Sequence, residues 1–204
     1  KHLFICMAAT GILLSCNSKN NLNTVTTDTS VKQEEPVDSA SIKFFPVTSF
    51  IKGQFIELDS LPVTILKIST SNNKADSSWL KKEEVKPQLM LFVTEEINET
   101  NLLSFFKQSK FNDQTVDAIT FTHDPLKALP DSISLRHWDV YVQPQTGTIR
   151  KVYMVKLVKK NGNNYTEQLT WQTGKWAKIV EILNKPDGNS EIVSDTKFVW
   201  DFNE

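Results

Sequence analysis

The sequence predicts one α+β domain, with N-terminal helices packed on one face of a C-terminal antiparallel β-meander. Two observations carry that expectation. Apolar residues in the first part of the folded region recur at helical spacing between cap and stop signals. From Val116 onward, β-rich segments alternate with tight-turn dipeptides, and short connections force neighbouring strands antiparallel. Hydrophobic residues make up 39% of the 204-residue chain and charged residues 23%, an ordinary globular balance.

The folded domain is expected over 42–204. Pro46 is placed to open a helix, and Phe50, Ile51, Gln54, Phe55 and Leu58 follow on one face until Leu61-Pro62 ends it. Val63 to Ser69 forms a strand bounded by the polar run 71–73. Asp76, Ser77 and Ser78 offer caps for a second helix starting near Trp79, with Val85, Leu89, Phe92 and Val93 as its apolar stripe. Pro87 must break or kink that helix. Leu102, Leu103 and Phe106 mark a short third helix. Strands are then centred on Ile119–Phe121, Trp138–Val142, Ile149–Leu157, Tyr165–Trp171, Trp176–Leu183 and Ile192–Trp200. Thr146-Gly147, Asn161-Gly162, Thr173-Gly174 and Pro186-Asp187-Gly188-Asn189 supply turns between them.

Ahead of the domain, Lys1 and His2 precede an apolar run from Leu3 to Leu14, the grammar of a secretory signal over 1–15. The run is shorter than the roughly 20 apolar residues a membrane-spanning helix needs. Residues 16–41, rich in Asn, Ser, Thr, Asp and Glu, have the composition of a flexible tether. A chain of that length spans about 25–30 Å.

Leu13-Leu14-Ser15-Cys16 resembles the lipobox of bacterial lipoproteins. The resemblance implies cleavage before Cys16, lipid on its sulfur and an acylated new amino group, since several acyl chains anchor where one binds only marginally. No Asp follows Cys16 and no acidic cluster succeeds it, which by the same analogy implies an outer-membrane anchor facing the periplasm. With Phe44-Phe45-Pro46-Val47, the run Ser109 to Thr115 and Leu169-Thr170-Trp171, the chain resembles uncharacterised cell-envelope lipoproteins of Bacteroidetes. That resemblance implies an envelope address and an α+β domain, and it transfers no activity. It also implies O-glycosylation at Asp-Ser sites, of which Ser39 in the tether is the most exposed candidate; unmodified turn residues are the other reading.

Composition narrows the chemistry. A net charge of −1 gives no footprint for nucleic acid and no polybasic membrane patch. Once the signal leaves with Cys6, Cys16 is the sole thiol, which excludes a disulfide within the domain and thiol catalysis away from the anchor. No Gly-rich phosphate loop is present, and no cofactor is expected.

Three chemical sites remain conceivable. His137 and Asp139 share a strand face, and His123 is within reach from a neighbouring strand, so the three could form a metal-dependent hydrolase site; ordinary surface or hydrogen-bonded histidines are the simpler reading. No metal is expected on that reading. Ser132 and Ser134 near Asp131 lack the elbow of a serine hydrolase. Paired carboxylates for glycoside hydrolysis are a further alternative, although Glu95-Glu96 has the look of a solvated helix end. Trp138, Tyr141, Trp171 and Trp176 could present a stacking surface for sugars or peptides, or equally pack the core and support hairpins. Lys156, Lys159 and Lys160 beside Asn161-Gly162 suit either an anionic ligand or a solvated hairpin tip. The expectation is therefore a lipid-anchored, non-enzymatic envelope module with a protein or glycan partner and no nucleic acid. A small-molecule carrier and an envelope hydrolase are the alternatives.

Overall fold

The computed structural model describes residues 45–203 apart from 72, 73, 99 and 114. The signal segment, Cys16, Ser39 and the tether lie outside the described residues.

Helix α1 spans Val47–Ser60 and buries Val47, Thr48, Ile51 and Leu58. It stops because Leu61 precedes a proline and takes an extended conformation, φ −77° and ψ 137°. Strands β1 (Ile65–Ser71) and β2 (Lys74–Leu80) form a hairpin in continuous register, from Ile65 opposite Leu80 to Ser71 opposite Lys74. Helix α2 spans Lys82–Leu89, and its start is tied by the Lys81 N–H donating to Glu84 Oε2 at 2.8 Å. Pro87 lies inside α2, and a 3-10 turn over Met90–Phe92 follows. A second 3-10 turn, Leu103–Phe105, leads into β3 (Phe106–Asp113). Strands β4 (Ala118–Pro125), β5 (Leu135–Val142), β6 (Ile149–Lys160), β7 (Asn163–Gln172), β8 (Trp176–Asn184) and β9 (Ser190–Val199) complete the chain.

All nine strands join one antiparallel sheet in the order β2-β1-β9-β8-β7-β6-β5-β4-β3. The last seven are a meander, and the N-terminal hairpin adds to its far side by pairing β1 with β9. At the β6–β7 connection Asn161 (φ 51°) and Gly162 (φ 82°) both adopt the left-handed conformation that a two-residue hairpin requires.

This arrangement overturns the expectation of an α+β domain with N-terminal helices packed on one face of a C-terminal β-meander. The described chain is mostly a single nine-stranded sheet with two short helices. Two segments account for the difference. Trp79 belongs to β2, because the Asp76-Ser77-Ser78 run that resembles a helix cap instead pairs residue by residue with β1. Phe106 starts β3 rather than ending a third helix. Both strands are sheet edges with largely exposed side chains, so neither needs the apolar alternation that identifies a strand in sequence.

Alternation divides the sheet into two faces. The inner face carries Trp138, Val140, Val152, Met154, Leu169, Trp171, Ala177, Ile179 and Phe198, which form one core with Val47, Ile51 and Leu58 of α1 and Val85 and Leu89 of α2. Trp171 is central to it, with Phe55, Phe92 and Trp200 at ring-centroid distances of 5.4, 5.3 and 5.3 Å. Among the described residues, both α-helices pack on this inner face. No helix of the described residues is long and apolar enough to cross a membrane.

Candidate binding surface

The four aromatic candidates separate by strand parity. Trp138 and Trp171 point inward and have no solvent exposure, so neither can present a stacking face to a ligand. Trp138 is held between His123, stacked at 4.3 Å and 7° interplanar angle, and Phe106 at 4.6 Å. Tyr141 and Trp176 point outward and are partly exposed.

The metal trio separates in the same way. His123 lies opposite Trp138 on the inner face, whereas His137 and Asp139 occupy the outer face of β5. The three do not converge, and no group of three His, Cys, Asp or Glu side chains suited to a metal occurs among the described residues. Their electrostatics diverge too. Burial pushes the His123 imidazole down to about 4, and its Nε2 lies 2.8 Å from Gln108 Oε1. His137 is raised to about 9, first by its hydrogen bond to Asp139 and then, against the opposing cost of burial, by Asp124. It lies 2.7 Å from Asp124 Oδ1 through Nδ1 and 3.1 Å from Asp139 Oδ2 through Nε2.

The remaining catalytic candidates are held in structural contacts. Glu167 and Glu181 face each other across β7 and β8, but the Lys160 ammonium contacts both carboxylates, at 2.7 Å from Glu167. Glu95 is not a solvated helix end: it accepts from the Ser134 and Leu135 N–H groups and from the Ser134 hydroxyl. Lys156 is buried and donates to the carbonyls of Leu91 and Thr94, both at 2.7 Å, so it is no hairpin-tip cation. A concavity of about 180 Å³ lies on the inner face between Phe45, Phe121, Val140, Ile149, His123 and Gln108. It is smaller than the 300–1,000 Å³ usual for drug-sized ligands.

The outer face holds the more extensive feature. Strand register aligns Trp79, Leu66, Val199, Trp176, Gln172, Lys151, Tyr141, Thr120 and Phe111 in one row that crosses all nine strands. Trp79 and Phe202, 61% and 57% exposed, form a tilted pair at 5.9 Å beside one end of the row. Two concavities lie along it. One of about 530 Å³ contains Leu66, Ile68, Trp176, Val199 and Phe202; one of about 140 Å³ contains Val116, Ala118, Tyr141 and Arg150. Gln172 lines both, so they are neighbours along the row. Lys197 lies over the Trp176 ring at 4.4 Å and Lys151 over the Tyr141 ring at 3.7 Å.

Of the residues in or beside this row, sequence reasoning named Tyr141 and Trp176 as candidates and did not name Trp79, Gln172, Lys151, Lys197 or Phe202. The signal for Gln172 and Lys151 was available in the tight turns, since Thr173-Gly174 sets Gln172 opposite Trp176. Trp79 was hidden by its assignment to a helix. In comparisons with known proteins, no family model, no curated protein and no solved structure matches this chain.

Proposed function

We propose that the protein is a non-enzymatic binding module of the cell envelope, tethered through lipid on Cys16 and facing the periplasm from the outer membrane. Its partner lies along the outer-face row. The observation that carries this reading is the in-register row itself: exposed aromatic side chains and two neighbouring concavities occupy the sheet face opposite the one on which the described helices pack. The anchor rests on Leu13-Leu14-Ser15-Cys16 and on the resemblance to Bacteroidetes envelope lipoproteins. A carrier of small molecules is less well supported, because the inner-face concavity is small. A hydrolase is less well supported because His123 is on the face opposite His137 and Asp139, and Lys160 contacts both Glu167 and Glu181.

The test is retention of the full chain, in detergent, on immobilised envelope polysaccharides and on an immobilised unfolded polypeptide. Retention by one class, lost in Trp79→Ala and kept in Ile56→Ala on the exposed side of α1, is the expected outcome. Equal retention of all three proteins, or retention of none, overturns the assignment to the row.

A further inference from the structure

The charge along the row identifies a ligand chemistry. Its two concavities are lined by four cationic side chains, Arg150, Lys151, Lys175 and Lys197, against a single carboxylate, Asp201. This surplus of three positive charges sits on a chain whose formal net charge is −1. The surplus belongs to the concavity linings; beside them, Asp139 accepts from the Tyr141 hydroxyl at 3.4 Å and Asp113 is close enough to act on Lys151.

Their placement is regular. Trp79, Trp176 and Tyr141 lie on β2, β8 and β5, each separated by three strand steps in the sheet order. At about 4.8 Å per step, successive rings are about 14 Å apart and the set spans about 29 Å along the sheet. Trp176 and Tyr141 each carry a lysine ammonium over the ring. Each such pair offers an apolar ring edge and a positive charge to one ligand unit. Gln172 and Asn203 add amide donors and acceptors between and beside them.

We propose that the outer row binds an extended acidic glycan, a chain of sugar rings bearing carboxylate or sulfate groups. This inference rests on the binding reading above and names its ligand. Sugar rings bring apolar faces for Trp79 and Phe202, hydroxyls for Gln172 and Asn203, and anionic groups for Lys151, Lys197 and Arg150. A single-stranded nucleic acid is a poorer fit, because its affinity draws on bases stacking over open aromatic faces. Here ammonium groups already cover one face of Trp176 and of Tyr141.

The experiment uses the full chain in detergent and a panel of polygalacturonate, alginate, hyaluronate and heparin. Each uronic-acid polymer is paired with its carboxyl-reduced form, and an oligothymidylate is included. Binding to at least one acidic polymer is expected, weakened by carboxyl reduction and by added salt. For its oligomers, affinity should rise with length until the chain spans the row and then level off. Lys151→Gln and Lys197→Gln should each weaken binding about two- to fivefold, as expected for one exposed charge pair. Lys151→Arg should restore it. Binding of none of the acidic polymers, equal binding of the reduced forms, or tighter binding of the oligothymidylate overturns the proposal. Row-dependent retention of a neutral glycan or polypeptide would overturn the acidic assignment while leaving the binding module intact.

Discussion

His137 and Asp124 are joined side chain to side chain across β4 and β5, 2.7 Å apart, on a ring whose other nitrogen reaches Asp139. One imidazolium thus pins two carboxylates on the outer face, adjacent to Tyr141 of the row. The raised pKa of His137, about 9, carries a definite pH consequence.

A group whose folded pKa lies above its unfolded value, about 6.5 for histidine, contributes fully below that value and loses its contribution as pH rises through the folded pKa. Stability should therefore fall between about pH 6.5 and 9, by about 2 kcal/mol after allowing for solvent screening of the partly exposed ring. Asp139 has a lowered pKa, held down by His137 against the opposing cost of burial. Its contribution is present above pH 3.8 and is lost as pH falls through the folded value. Urea unfolding from about pH 2 to 10 measures both limbs, and His137→Asn should flatten the alkaline one.

Glu95 links the loop after α2 to the start of β5. Replacing it with alanine leaves the Ser134 and Leu135 N–H groups without their acceptor, at a cost of about 2–3 kcal/mol. Glu95→Gln, which retains an acceptor oxygen, should cost less. Chemical denaturation of the two variants separates loss of acceptor from loss of charge.

Lys156 makes a similar link from β6 to the carbonyls of Leu91 and Thr94. Lys156→Met keeps much of the side chain's bulk while removing both donors. It should destabilise by about 2–4 kcal/mol, and hydrogen exchange should report the opening first in the segment around the 3-10 turn at Met90–Phe92.

The two faces should respond oppositely to tryptophan loss. Trp171→Ala opens the centre of the core and should cost about 3–5 kcal/mol. Trp79→Ala removes an exposed ring from an edge strand and should change stability by no more than about 0.5 kcal/mol while impairing ligand retention. Thermal melts and binding on the same samples give both readouts.

Cys16→Ala should abolish incorporation of labelled fatty acid and move the protein from the membrane to the soluble fraction. Continued labelling of the variant would overturn the lipid assignment.

The meander from β4 to β9 was legible because its inner strands alternate apolar and polar residues and are punctuated by Asn161-Gly162, Thr173-Gly174 and Pro186 to Asn189. The hairpin strand β2 was not. Asp76-Ser77-Ser78 satisfies a helix cap and an exposed edge strand equally well, and only pairing with β1 decides between them. Alternation alone places His137, Asp139 and Tyr141 on one face. It cannot relate that face to His123, because that requires the register between β4 and β5. The row is a stronger case of the same limit. Its members come from every strand, and no local pattern in Trp79 or Phe111 reveals that seven intervening residues line up between them.

The pairing of Leu66 with Val199 makes the earliest strand depend on the latest. Loop closure over nearly the whole domain must precede that contact, which places the fold among slow, non-local topologies. A chain delivered from its N-terminus would carry β1 and β2 as an isolated hairpin, marginal in water, until β9 arrived. The Trp79 end of the row would thus be the last part to become competent, and a chain cut before Ser190 would retain Tyr141 and Trp176 but lose their outer neighbour. Alignment of the full row is therefore coupled to the arrival of β9.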